Sequence, residues 1–108
     1  MPARIVRTPR ANEDLFEHAA FIADDNPDAA RRFLTAAEAA LGRIADNPHI
    51  GRAETFDLPR LAGLRSWAVP GFRAVRVYYQ VKADEVFVVR VLHGARDLPP
   101  LFEREADR

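Results

Sequence analysis

The chain of 108 residues has no cysteine, which excludes disulfide bonds and thiolate metal sites. Long apolar runs are missing as well: the longest covers residues 19–23, whereas a membrane-spanning helix needs roughly 20 apolar residues. The N-terminal stretch MPARIVRTPR is basic but has no apolar core, so we expect no signal peptide. We therefore expect a cytoplasmic protein with no membrane partner.

Short catalytic motifs are also absent, including GxSxG, the P-loop, GxGxxG and HExxH. The three histidines lack the spacing of metal ligands, and we predict neither a metal nor a cofactor. His18 falls on the apolar stripe of a predicted helix and is expected at the core boundary. His49 lies in a proline-bounded loop and is expected in solvent.

The charge is balanced in total but not along the chain. Residues 11–48 carry eight acidic and three basic side chains, whereas residues 58–96 carry seven basic and two acidic ones. This asymmetry indicates that the second half faces an anionic partner. Lysine is nearly missing, because Lys82 is the single lysine among 16 basic residues.

Hydrophobic periodicity predicts the element order β-α-α-β-β-β. A short strand at residues 5–6 precedes Thr8, an N-cap candidate, and a second helix begins after Asn26 and ends at Asn47, so the helices form a hairpin. Residues 47–63 are predicted as a loop, and strands at 64–69, 74–82 and 86–93. The last strand is apolar on nearly both faces and is expected to be central, with the helices covering one sheet face. We expect one domain, residues 1–108, with a frayed tail at 103–108.

Alternation along the last two strands assigns side chains to the two faces of the sheet. The helix-facing set is expected to be Val75, Val77, Tyr79, Phe87, Val89 and Val91. The opposite face is expected to carry Val86, Val88 and Leu92 together with Arg76 and Arg90. An arginine inside so apolar a strand is costly unless it is paired or solvated. The pattern therefore predicts an open, arginine-bearing face that runs into His93 and Arg96.

A polar cluster follows the last strand, where His93 is succeeded by Gly94, Arg96 and Asp97. A histidine near arginines could perform acid–base chemistry on a phosphodiester. Alternatively, His93 and Asp97 hydrogen-bond the strand end and fix the tail, which is the interpretation that we favour. A separate candidate is Phe16, which lies off the apolar stripe of its helix and is expected to be exposed, where it could anchor a partner.

Four segments, taken in chain order, resemble the ParE family of toxins within the RelE/ParE superfamily of bacterial toxin–antitoxin systems. They are DLFEHAAFIADDNPDAARRFL, NPHIGR, LRSWAVPGFRAVRVYYQV and RVLHGARDLPPLF. The resemblance implies an α+β fold of the RelE/ParE type, with a helical hairpin packed on one face of a small, mostly antiparallel sheet. It also implies growth inhibition, plasmid stabilisation and neutralisation by a cognate ParD-like antitoxin encoded alongside.

The usual target of ParE-like toxins is DNA gyrase, whereas the other branch of the superfamily cleaves mRNA on the ribosome. Members that cleave mRNA line their sheet with several Lys and Arg residues plus a Tyr or His, a dense cluster that this chain lacks. The resemblance therefore favours a binding-type gyrase inhibitor that contacts DNA only through the antitoxin complex. Two alternatives stay open: a ribosome-dependent endoribonuclease using His93, Arg90 and Arg76, and a divergent homologue that only binds its antitoxin.

Two candidate surfaces follow from these assignments. The target-facing or toxicity surface is expected to comprise Arg65, Arg76, Arg90, His93, Arg96 and Asp97. The antitoxin-binding residues are expected to be Phe16, Arg76 and Arg90. Phe16 and Ala20 stand where the family usually has polar residues, and His18 where it usually has an aliphatic one, so these positions are candidates for tuning antitoxin choice.

Overall fold

The computed structural model describes residues 2–55 and 59–94. Its elements are β1 (Arg4–Arg7), α1 (Pro9–Asp25), α2 (Pro27–Asp46), β2 (Arg52–Ala53), β3 (Arg65–Val69), β4 (Phe72–Lys82) and β5 (Glu85–His93), with a short 3₁₀ turn at Pro59–Leu61. The predicted strand–helix–helix–strands order is confirmed. The two-residue strand β2 and the 3₁₀ turn lie inside the segment predicted as a loop. Within the described residues, no helix is both long and apolar enough to cross a membrane.

Both helices begin at the predicted caps. The Thr8 hydroxyl accepts a hydrogen bond from the Ala11 N–H at 3.1 Å, and the Asn26 side chain accepts one from the Ala29 N–H at 3.1 Å. Asn26 also ends α1, where its own N–H donates to the Ile22 carbonyl. One residue thus ends the first helix and caps the second, which explains the tight turn of the hairpin.

The five strands form one sheet in the order β1-β5-β4-β3-β2. Strand β1 pairs with β5 in parallel, and the remaining neighbours are antiparallel. The predictions of a mostly antiparallel sheet and of a central last strand are therefore confirmed. The helical hairpin covers one face, where Phe33 and Ile44 pack against Val77 and Tyr79 in the main core.

The opposite face is less open than the alternation predicts. Tyr78 and Leu92 form a second, smaller core there with Leu61 and Leu64, which follow the loop after β2. All four side chains are buried. Residues 59–64 therefore cover part of this face. Sequence alternation could not reveal this cover, because it carries no information about how the segment between two strands folds back.

A β-bulge shifts the phase of β5 in its middle. Tyr78 pairs with Arg90, but the next residue of β4, Tyr79, pairs with Val88, so Val89 is an additional residue on β5. The additional residue puts the parts of β5 before and after it out of phase, because strand alternation has a period of two, so one unbroken alternation cannot assign both parts to the correct face.

The bulge overturns four of the predicted side-chain positions on β5. Val86 and Val88 belong to the helix-side core, not to the opposite face. Val89 packs against the smaller core, and Phe87 is not part of the helix-side core, so neither meets the helices as predicted. Beyond the bulge, Val91 is on its predicted helix side.

Candidate functional site

Arg90 lies inside the protein, bound to Asp14 of α1. Its Nε donates to Asp14 Oδ2 at 2.8 Å and its Nη2 to Oδ1 at 3.0 Å, a two-point contact. The Val91 N–H donates to the same carboxylate at 2.9 Å. Both side chains are buried, with 2% and 3% exposure. The prediction that Arg90 lies on an open, partner-facing surface is therefore wrong: although Arg90 pairs with Tyr78, its guanidinium reaches Asp14 of α1, and this carboxylate neutralises it inside the protein.

Arg76 occupies the face away from the helices, as predicted. Its Nε donates to the Ser66 hydroxyl at 2.9 Å and its Nη2 to the Ser66 carbonyl at 3.2 Å. The Ser66 hydroxyl donates in turn to Glu54 at 2.8 Å, and Arg52 forms an ion pair with that same carboxylate. Burial and, to a lesser degree, the charge of Arg52 lower the pKa of Arg76. Arg52 thus contacts Glu54 directly on this face, whereas Arg76 is connected to Glu54 through the Ser66 hydroxyl.

Arg65 lies on the helix side of the sheet, because it pairs with the core residue Tyr79. Its Nη1 donates to the Gly51 carbonyl at 2.7 Å and to the His49 carbonyl at 3.3 Å. The arginine holds the loop after α2 against β3. Arg65 and Arg76 therefore lie on opposite sides of the sheet and do not share the predicted surface.

His93 ends β5 opposite Val75, on the side of the sheet that the helices cover. It lines a groove of about 520 Å³ between α1 and the adjoining ends of β4 and β5. Arg90 lines the same groove, but Arg76 does not. Of the predicted nuclease set, the fold brings two members to one groove and leaves the third across the sheet. The predicted site residues Arg96 and Asp97 lie outside the described residues.

The exposed aromatic side chains of α1 are Phe16 and Phe21, at 70% and 71% exposure. The exposure of Phe16 is confirmed, whereas Phe21 was not singled out. A signal for Phe21 exists, since it lies in the apolar run 19–23 and five consecutive helical residues cannot all face one core. Phe21 lines the groove that contains His93, and Phe16 does not.

The other two histidines lie as expected. His18 is half-buried at the boundary of the core, where its Nε2 donates to the Val91 carbonyl at 2.9 Å, and His49 is exposed. Within residues 2–55 and 59–94, no group of three histidine, cysteine or acidic side chains is placed to hold a metal ion.

The family model described as "ParE toxin of type II toxin-antitoxin system, parDE" matches residues 5–98. This chain belongs to the ParE toxin family. The resemblance carried by the four sequence segments is thereby confirmed, and the matched range includes both helices and every strand from Ile5 onward.

Two solved structures share the fold. A chain of the chromosomal ParDE system from P. aeruginosa is 15% identical with a TM-score of 0.68, covering 85% of this chain and 96% of that one. A chain of the RelBE2 toxin–antitoxin complex from Mycobacterium tuberculosis is 22% identical with a TM-score of 0.60, covering 86% and 99%. No curated protein matches this chain significantly. At these identities the two structures show that the α+β fold is shared.

Proposed function

We propose that this ParE-family toxin inhibits growth by binding and poisoning DNA gyrase, and that a ParD-like antitoxin neutralises it in the cytoplasm. The toxin contacts DNA only within the complex with its antitoxin. The ParE family match over residues 5–98 favours this target over the ribosome. The activity requires a binding surface and no catalytic group of its own.

The main support for this proposal is that the fold does not bring together the three residues considered for a nuclease, His93, Arg90 and Arg76. Arg90 is bound to Asp14 inside the protein, and Arg76 is held by Ser66 on the other side of the sheet. A general acid–base residue needs partners within hydrogen-bond reach of one reacting phosphate. Arg76 and His93 lie on opposite faces, so the three cannot engage one phosphate in this arrangement.

A ribosome-dependent endoribonuclease is the second candidate, because His93 and Arg90 line one groove. The chain similar to this one in the RelBE2 complex agrees with that candidate at the level of the fold. The third candidate is a divergent homologue that binds its antitoxin without toxicity. Similarity of fold does not distinguish among these three candidate functions, since one fold can host several activities.

Induction of the chain alone in growing bacteria separates these candidates. We expect growth arrest with DNA-damage signalling and altered plasmid supercoiling, and intact mRNA. Co-expression of the acidic antitoxin from the neighbouring reading frame is the control and restores growth. Growth arrest with mRNA cleavage and unchanged supercoiling would favour the endoribonuclease. Normal growth with a stable antitoxin complex would favour the divergent homologue.

A further inference from the structure

The groove between α1 and the adjoining ends of β4 and β5 has an apolar lining and a large apolar side chain that remains in solvent. The lining comes from both layers, since Ile22 belongs to α1 whereas Phe72 and Val75 belong to β4. Phe21 of α1 also lines the groove, yet it is 71% exposed. Because phenylalanine is among the side chains that gain most from burial, a second surface that covers this groove would be stabilised by it.

Two exposed side chains of opposite charge, Glu17 of α1 and Arg73 of β4, line the same groove. Neither forms an ion pair with any residue that the structure describes. The other arginines at the groove, Arg10 and Arg90, are already paired with carboxylates of α1. The accessible charges therefore balance, and they give the groove no preference for a purely acidic or a purely basic partner.

A surface that carries one anion and one cation beside an exposed apolar side chain can be complementary to a copy of itself. In a dimer with twofold symmetry the same patch of both copies meets, so each contact between two different residues occurs twice. A patch of one charge sign would repel its copy, whereas Glu17 and Arg73 can pair crosswise between two copies. The chain has a formal net charge of zero, so its overall charge does not oppose the association of two copies.

We propose that this groove is the interface of a dimer of the chain with twofold symmetry. Glu17 of each copy forms an ion pair with Arg73 of the other copy, and Phe21 of each copy covers the groove of the other. Phe16 lies outside this interface, since it does not line the groove. The dimer forms without antitoxin or gyrase and is therefore independent of the proposed function.

Sedimentation equilibrium of the purified full-length chain measures the proposed monomer–dimer equilibrium. Glu17→Arg and Arg73→Glu should each raise the dimer Kd at least about tenfold, because each change makes the two charges of the crosswise pair alike. An equimolar mixture of these two variants should form a heterodimer with a Kd within about threefold of the parent value, since both crosswise pairs are then opposite in sign again. Such recovery also shows that both variants are folded.

The contribution of the exposed aromatic side chain is tested in the same way. Phe21→Ala should raise the dimer Kd at least about tenfold, through loss of an apolar anchor at the interface. Phe16→Ala is the matched control, because Phe16 lies on the same helix with a similar exposure of 70% but does not line the groove. We expect its dimer Kd to stay within about twofold of the parent value.

Three results would overturn the proposed dimer. A parent chain that stays monomeric at concentrations up to about 1 mM has no such interface. A dimer whose Kd is unchanged either by Phe21→Ala or by the two charge reversals uses another surface. Charge-reversed variants that dimerise poorly alone and do not recover on mixing would mean that Glu17 and Arg73 do not meet across the interface.

Discussion

At the residue scale, the buried pair Asp14–Arg90 joins α1 to the central strand. The carboxylate accepts two hydrogen bonds from the guanidinium and one from the Val91 N–H. Sequence reasoning recognised that an arginine in this strand needs a partner but did not find Asp14. A signal was present, because Asp14 follows Ala11 by three residues and precedes His18 by four, which puts it on the apolar stripe.

We predict that Asp14→Ala lowers the free energy of unfolding by about 3–5 kcal/mol, because the change leaves the charge of Arg90 buried without its carboxylate. Urea denaturation measures this difference. The control is Glu13→Ala, which removes the exposed pair with Arg10 and should cost less than about 1 kcal/mol. A loss below about 1 kcal/mol in Asp14→Ala would mean that solvent reaches Arg90 readily and that the pair is not structural.

A second close contact between residues, besides Asp14–Arg90, joins Tyr79 to Gly51. The Tyr79 hydroxyl donates to the Pro48 carbonyl at 2.7 Å and accepts from the Gly51 N–H at 2.9 Å. Burial raises the pKa of Tyr79, so the hydroxyl stays protonated and can donate. A Cβ at Gly51 would lie 2.5 Å from that hydroxyl and 2.7 Å from the Ser66 carbonyl, which leaves no space for a side chain.

We predict that Gly51→Ala destabilises the protein by about 1–3 kcal/mol, since the backbone or Tyr79 must shift to admit the methyl group. Gly42→Ala is the matched control, because a Cβ on that α2 glycine meets no atom within 4 Å. The control should stabilise the protein by up to about 1 kcal/mol through its higher helix propensity. Equal melting temperatures for the two variants would contradict the close contact at Gly51.

At the element scale, the helices were predictable and the face assignment of β5 was not. Thr8 and Asn26 are cap residues followed by proline, and such local signals do not depend on tertiary context. The face on which each β5 side chain lies depends instead on the bulge at Val89. Because β5 is apolar on both faces, its sequence shows no break in alternation from which the bulge could be recognised. The contact of Arg90 with Asp14 was not predictable from strand alternation either, because Asp14 lies 76 residues earlier in the chain.

A prediction at the element scale concerns Phe16 on the surface of α1. This side chain is 70% exposed, so Phe16→Ala should leave the free energy of unfolding of the isolated toxin nearly unchanged. We expect the same change to weaken antitoxin binding by more than about tenfold, because a buried aromatic anchor contributes about 2 kcal/mol or more to an interface. Calorimetry with the purified antitoxin measures the effect. An unchanged Kd would mean that the antitoxin does not cover Phe16.

At the scale of the whole molecule, three arginines from the basic half of the sequence lie in three different places within the part of the chain that the structure describes. Arg65 holds a loop on the helix side, Arg90 is buried, and Arg76 lies on the opposite face. The residue count along the chain could not predict this distribution, because it depends on strand phase and on local carbonyl and carboxylate partners. The fold itself was recognisable from four ordered segments, whereas the positions of Arg65, Arg76 and Arg90 depend on tertiary contacts that the segments do not reveal.

The central claim is that this ParE-family chain acts by binding gyrase and not by cutting RNA. Its most direct test incubates purified toxin with DNA gyrase, ATP and relaxed plasmid, and measures supercoiling and trapped cleaved DNA. We predict that the toxin blocks supercoiling and accumulates cleaved plasmid, and that prior addition of antitoxin prevents both. Normal supercoiling by gyrase in the presence of a folded toxin that cleaves mRNA on purified ribosomes would contradict the claim.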